Sequence, residues 1–547
     1  MSLSAWWHGL RPGLALAPEV LQGSREEPAG LRRVPLPAQL TFPLHHPGGW
    51  TLTPAVGVGD RVRFGETLAV GPEGSALSLH AAAAGTVSEV DEHPVIDPVV
   101  ERTRCIVIAT RAEKDQPPWL TPITAPESAA PETLRARAGE AGLMGMGGAQ
   151  FPTVTKLELA AAAGVHTLIV NGAECDPSLT CDQWLMQAYA AQIVRGAQLL
   201  LRACGAERCV LPLEDDKPAA VAAMEAAVAD AADPRLEVIP VAPRYPAGGE
   251  RQLIERLFAV EVPTETWPVH AGYVSFNVAT AAAFDDAVRQ GQPLTERIIS
   301  IAGPGVAQPG NVIAPLGASI AHLIEHGAGG YREDASRLVV GGAMMGIAMA
   351  DDDAPITPAT NGLLVLTGTR TQEPSHRGAL PCIRCGDCAA VCPARLQPQE
   401  LFRHLDSGDL ASASALHVVD CIECGSCDTV CPSQLPLTEA FRQAKRTIAR
   451  TQQETQRADR WRASFERRNH RLATDDRADA ARASRRAART TAAAADAAAP
   501  TPPVVDHVPG RPDTRATEDE RQAVIRASIE RARQRRQRPR RDPDTDG

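Results

Sequence analysis

At 547 residues the chain is too long for a single hydrophobic core, and its 44% apolar content is enough to build several. The net charge of −10 is uneven: residues 451–547 hold 22 Arg and Lys against 16 Asp and Glu, and the first 450 hold 34 against 50. So acidic a body argues against nucleic acid as a partner. No run of 18 apolar residues is present to span a membrane, which leaves peripheral attachment open; the basic tail reads first as a solvated, mixed-charge stretch and second as a surface for anionic lipid or acidic protein.

Met1–Pro18 contains Trp6 and Trp7 but no basic stretch ahead of them, so no secretory leader is expected. Residues 1–30 form an N-terminal extension. Residues 31–112 read as short strands and turns, where VGDRV at 58–62, GETLA at 65–69 and AGTVSEV at 84–90 alternate Val with Gly turns. That order resembles lipoyl- and biotinyl-type barrel sandwiches, and with no lysine at a hairpin tip the domain reads as structural. Residues 113–290 alternate helix and strand: helices at Glu132–Ala141, Lys156–Ala163 and Asp182–Cys204, strands at 167–170, 209–211 and 237–239. The alternation predicts an α/β domain with parallel strands. Residues 291–350 read as short strands around Gly-rich turns with a helix at Ser319–His326. The cysteine-rich stretch occupies 370–450. Residues 451–547 form an Ala- and Arg-rich tail, helical at first and of low complexity from about Ala480, where the composition argues for disorder with transient helix. The whole is a multidomain α/β and α+β chain.

Eight of the 13 cysteines lie between 382 and 431, and so tight a grouping in a long chain points to metal in a reducing compartment. Cys382, Cys385, Cys388 and Cys392 form one run ending in Pro393, and Cys421, Cys424, Cys427 and Cys431 form a second ending in Pro432. Both follow C-x2-C-x2-C-x3-C-P, the spacing of two-cluster bacterial ferredoxins. Three thiolates on a tight loop reach three irons of one cubane, while the fourth points away to the other. The expected sets are therefore Cys382, Cys385, Cys388 and Cys431 for cluster one, and Cys421, Cys424, Cys427 and Cys392 for cluster two. A structural zinc site takes only four ligands and does not account for two complete runs. Each cubane passes one electron at a time, so the module reads as an electron wire.

Gly142–Lys156 (GLMGMGGAQFPTVTK) is a candidate phosphate loop: small residues admit an anion to the backbone, and a lysine at the helix start neutralises it. A plain helix-start turn explains the loop equally well. Its context is more specific. GMGGAQFPTVTKL, VNGAECDPSLTCD from Val170 and RYPAGGERQLIERL from Arg244 resemble, in that order, the flavin- and NADH-binding 51-kDa subunit of respiratory complex I. With VPLPAQLTFPLHHPGG, GPGVAQPGN, VVGGAMMG and the cysteine runs, residues 31–450 resemble the RnfC/RsxC family of the Rnf/Rsx ion-translocating electron transport complex. The resemblance implies non-covalent FMN, NADH as donor, other subunits of a membrane complex as partners, peripheral association with the cytoplasmic side of a bacterial inner membrane, and a β-grasp-like SLBB module at 291–350. It implies that Gly145, Gly147, Gly148 and Lys156 cradle the FMN phosphate and that Asn171 faces the flavin ring. It further implies that Glu174 lines the pocket, that Asp176 and Glu250 lie near the nicotinamide, and that Asn277 and Thr280 close over the flavin. Three positions depart from the complex I pattern: Gln150 replaces a small residue, Ala173 an Asp, and Asp176 a Glu. They keep open a second reading, a relay with a degenerate flavin site. Cys105, Cys175, Cys181, Cys204 and Cys209 read as core thiols.

Overall fold

The computed structural model describes residues 31–46, 50–72, 77–97, 100–112, 119–368 and 379–497. The N-terminal domain is a β-sandwich. Strands Gln39–Pro43, Arg102–Thr110, Gly85–Pro94 and Arg61–Val62 form one antiparallel sheet in that spatial order, and Thr53–Pro54, Thr67–Val70 and Ser78–His80 form another. Period-two alternation turns Leu40 and Phe42 inward, where they share a core with Leu68, Val87, Ile106 and Ile108.

The next domain is a four-stranded parallel sheet, ordered Leu236–Val241, Arg208–Glu214, Thr167–Asn171, Tyr273–Asn277. Helices cover both faces, so the middle of the strand Thr167–Asn171, Leu168–Val170, is apolar. Leu168 and Val170 enter the main core, while Ile169 faces a second core with Leu253 and Ile254. Strand order reverses between Thr167–Asn171 and Tyr273–Asn277. In such sheets a crevice opens at the carboxyl ends of the strands flanking the reversal. Asn171 and Asn277, register partners, stand at those ends.

The β-grasp region is larger than the sequence bounds of 291–350. Its six-stranded sheet runs Arg32–Arg33, Gly310–Pro315, Glu296–Ala302, Gly362–Thr367, Ala335–Val340, Ile347–Met349. Gly362–Thr367 lies parallel to Glu296–Ala302 and antiparallel to Ala335–Val340, so it fills the middle of the sheet from outside the expected range. A two-residue Arg-Arg strand carries no hydrophobic signal, and a lone Leu-Leu-Val-Leu run carries no address. Ser319 caps the helix Ile320–Gly327 by accepting from the His322 N–H.

In the cysteine module, the short helices Asp387–Val391 and Ser426–Thr429 pack together. Around them Leu396, Leu401, Val418, Leu437 and Phe441 form a separate small core with Cys388 and Cys427. The chain then enters the helix Leu437–Ala497. From Glu454 the chain belongs to a second unit, and nearly every side chain in residues 454–494 is exposed. The helix runs to Ala497, through part of the stretch expected to combine disorder with transient helix, since Ala and Arg are strong helix formers; the rest of that expectation lies outside the described residues.

Candidate functional site

Three segments build the crevice. The glycine loop leads into the helix Thr153–Ala163 and is shaped by residues without side chains: Gly148 has φ +104° with open space around it, and a Cβ on Gly147 would lie 3.3 Å from that of Asn277. The Gly145 N–H donates to the Phe151 carbonyl (2.8 Å). The Met146 N–H donates to Thr280 Oγ1 (3.0 Å), and the buried Arg297 donates to the Met146 carbonyl (3.4 Å). Lys156, in the first helical turn, pairs with Glu250 at 2.8 Å and lies over the Phe276 ring. Thr153, the first helical residue, has a buried hydroxyl with no hydrogen-bond partner among the described residues. Glycine backbone, a helix N-terminus and a lysine together fit a phosphate group. Gln150 does not stand free in the loop: its side chain is buried and donates to Thr357 of the β-grasp region (2.7 Å).

The second segment follows Asn171. Asn171 Nδ2 donates to the Gly248 carbonyl and Oδ1 accepts from the Ala173 N–H, both at 2.9 Å. Glu174 accepts from the N–H groups of Asp182 (3.0 Å) and Gln183 (3.1 Å) and from the Cys181 thiol (3.2 Å). It therefore caps the N-terminus of the helix Cys181–Cys204, where a negative charge is favoured. Burial nonetheless pushes Glu174 up to about 7, the Asp182 charge adds to this, and Lys217 opposes it. Asp182 is also raised by burial, against the hydrogen bond from Asn277 (2.6 Å) and the charge of Arg297. Asn277 thus links Asp182 to Gly147 while its Oδ1 caps its own helix at Ala279.

Asp176, the residue expected near the nicotinamide, is held by groups from two segments. Its carboxylate accepts from Ser178 N–H and hydroxyl and from the N–H groups of Ala343 (3.0 Å) and Met344 (3.1 Å). With both oxygens engaged, it ties the crevice to a β-grasp loop; a Cβ on Gly342 would collide with it at 2.0 Å. Cys105, Cys181, Cys204 and Cys209 are buried, and the half-buried Cys175 accepts from the Gly248 N–H (3.4 Å).

The third segment, Arg244–Gly249, connects the crevice to the cysteines. Gly248 is held by Asn171 at one end of this turn; at the other, the buried Tyr245 hydroxyl donates to the Cys424 carbonyl (2.7 Å). Arg395, beside Cys392, forms an ion pair with Glu255, and Gly425 abuts the Met344 carbonyl. A cavity beside this contact is lined by Cys392, Cys421, Cys424 and Cys427, with Pro393, Leu396, Ile422 and Phe441 among its walls. Four soft thiols in an apolar pocket suit an iron–sulfur cluster. Of the other four cysteines, Cys382 and Cys385 are exposed, Cys388 is buried and Cys431 half-buried. The start of their loop is pinned beside Cys431: Leu380 N–H donates to the Ser433 carbonyl (2.9 Å), and the Ser433 hydroxyl donates to the Pro381 carbonyl (3.0 Å).

Sequence reasoning missed Asp182, Lys217, Tyr245 and Arg297. Tyr245 lies within the RYPAGGE string, which marks it by association; nothing local distinguishes Arg297, whose partners Met146 and Pro358 are remote in sequence.

The domains in this order define a complex I-type FMN-binding domain joined to a 4Fe-4S module. Residues 18–113 match the RnfC barrel sandwich hybrid domain, 138–286 the Nuo51 FMN-binding domain, 298–348 the SLBB domain and 381–435 the 4Fe-4S dicluster domain. The ion-translocating oxidoreductase complex C-subunit of Erwinia tasmaniensis is 40% identical over 470 residues, covering 86% of this chain and 57% of that protein. Its counterpart in Rhodobacter capsulatus is 36% identical, covering 70% of this chain and 73% of its own length. The chain belongs to this RnfC family of ion-translocating oxidoreductase complex proteins. It spans less than two thirds of several relatives, 57% of the Erwinia protein among them. Among solved structures, an NAD+-reducing nickel–iron hydrogenase in the H2-reduced state aligns with TM-score 0.43 and 22% identity, over 62% of this chain and 65% of that one. No helix among the described residues is long and apolar enough to cross a membrane.

Proposed function

We propose that the chain takes electrons from NADH through FMN and passes them through two 4Fe-4S clusters to partner subunits of an ion-translocating complex, as a peripheral subunit on the cytoplasmic side of a bacterial inner membrane. The observation that carries this reading is the joint one at Tyr245: the turn that touches Asn171 in the crevice also touches Cys424 beside the four-cysteine cavity.

When bound, FMN supplies the conversion between a two-electron donor and one-electron acceptors. Gly145, Gly147, Gly148 and Lys156 hold its phosphate, and Asn171, Glu174, Asn277 and Thr280 shape the crevice beyond. Glu250 stands beside Lys156, where it balances the lysine and faces a donor. Cys392, Cys421, Cys424 and Cys427, beside the contact with the flavin domain, would hold cluster two, which would supply the inward one-electron carrier. Cys382, Cys385, Cys388 and Cys431, two of them exposed, would hold cluster one, which would supply the outward one.

Iron and sulfide analysis should give about eight of each per chain, and the purified protein should show flavin absorbance. Full iron with no flavin after reconstitution would instead favour the relay reading. That reading loses its main support in Gln150, whose amide is engaged by Thr357.

A further inference from the structure

We infer that Tyr245 is a positioning residue for electron transfer, whose hydroxyl raises the potential of cluster two and holds that cluster against the flavin domain; the inference rests on the two-cluster reading above. Tyr245 is 3% exposed, yet its hydroxyl has a defined partner, the carbonyl of Cys424, a cluster-two ligand. A hydroxyl in so buried a place needs a partner, and here the partner belongs to the other domain. The positive end of the O–H dipole points at the peptide that carries the Cys424 thiolate.

Reducing a 4Fe-4S cluster adds one negative charge, with no bond made or broken. A donor dipole aimed at the ligand loop favours the reduced form, most strongly where water is excluded. The turn around Tyr245 is held by Ala247 N–H to Arg244 O (2.7 Å) and Gly249 N–H to Pro246 O (3.0 Å), and Gly248 is fixed by both Asn171 and Cys175. The hydroxyl position is thereby set from the crevice side. The equivalent place in the first run differs: Cys385 is exposed, and a Cβ on the following Gly386 would meet nothing within 4 Å. The effect therefore acts on one cluster.

The test is Tyr245→Phe in the full chain, which keeps the ring and removes the donor. Potentiometric titration followed by EPR should resolve two one-electron waves. In the variant, one wave should move to lower potential by about threefold to tenfold in the reduction equilibrium, ~28–59 mV for one electron, while the other stays in place. The wave that moves should be the one retained in Cys385→Ser. An unmoved pair of waves, movement of both, or loss of iron from Tyr245→Phe would overturn the inference. Iron in the parent chain separates this from failure of the underlying reading: well below about eight per chain refutes two clusters, whereas full iron with unmoved waves refutes only the role of Tyr245.

Discussion

The two cysteine runs share one spacing and one local geometry but differ in surroundings. Arg384 and Glu423 both sit at φ +57°, and Gly386 and Gly425 follow at +88° and +74°. Yet Cys382 and Cys385 are exposed, and Ile383 and Leu380 beside them are 67% and 62% exposed. In the second run Glu423 pairs with Arg442 and Lys445, Cys424 is buried, and Tyr245, Met344 and Glu255 of other domains close over the module. A repeated motif thus encodes two chemically equal sites, and the fold makes one inward and one outward.

The largest expected effect breaks that symmetry by ligand. Cys392→Ser should remove the inward cluster although it lies in the first run, and Cys388→Ser the outward one, each halving the iron. Loss of the same cluster in both would refute the crossed arrangement.

A second pair compares the glycines. Gly425→Ala would place a methyl 2.9 Å from the Met344 carbonyl at positive φ, whereas Gly386→Ala meets only backbone strain. Strain at positive φ costs about 1–2 kcal/mol and overpacking adds ~1–3 kcal/mol. Gly425→Ala should therefore lower the melting midpoint further and slow NADH-driven cluster reduction, while Gly386→Ala should leave that rate near the parent's.

Lys156→Gln tests the source of electrons without touching the wire. Glutamine is preferable to glutamate there, since Glu250 would oppose a new carboxylate. A charged hydrogen bond contributes roughly 1.5–3 kcal/mol, so FMN affinity should fall at least about tenfold. Iron should be unchanged and dithionite should still reduce both clusters.

The smallest effect is a pH dependence. Glu174 is pushed from its ordinary value of 4.5 to about 7, so between those values the folded chain holds a proton that the unfolded chain releases. Its contribution to stability is therefore present at low pH and lost as pH rises through about 7. Thermal midpoints measured from pH 5 to 8 should fall less steeply in Glu174→Gln than in the parent; parallel curves would contradict this.

The 4Fe-4S module and the α/β alternation were legible because spacing and periodicity are local signals. Asn171 and Asn277 were marked only through resemblance, and the fold makes them register partners across the reversal point. What escaped was assembled from remote segments: Gly362–Thr367 in mid-sheet, Arg32–Arg33 at its edge, and the partners of Asp176, Ala343 and Met344, which lie more than 160 residues away from it. Tyr245 belongs with these, since a tyrosine in a turn announces no bond to a cysteine 179 positions on.

The central claim is that electrons enter through the inward cluster, and Cys385→Ser and Cys424→Ser test it most directly, each with NADH and with dithionite. In Cys385→Ser, NADH should still reduce the remaining inward cluster at close to the parent rate. In Cys424→Ser, dithionite should reduce the remaining outward cluster, whereas NADH should reduce it far more slowly. NADH reduction of the outward cluster at the parent rate in Cys424→Ser would contradict the account.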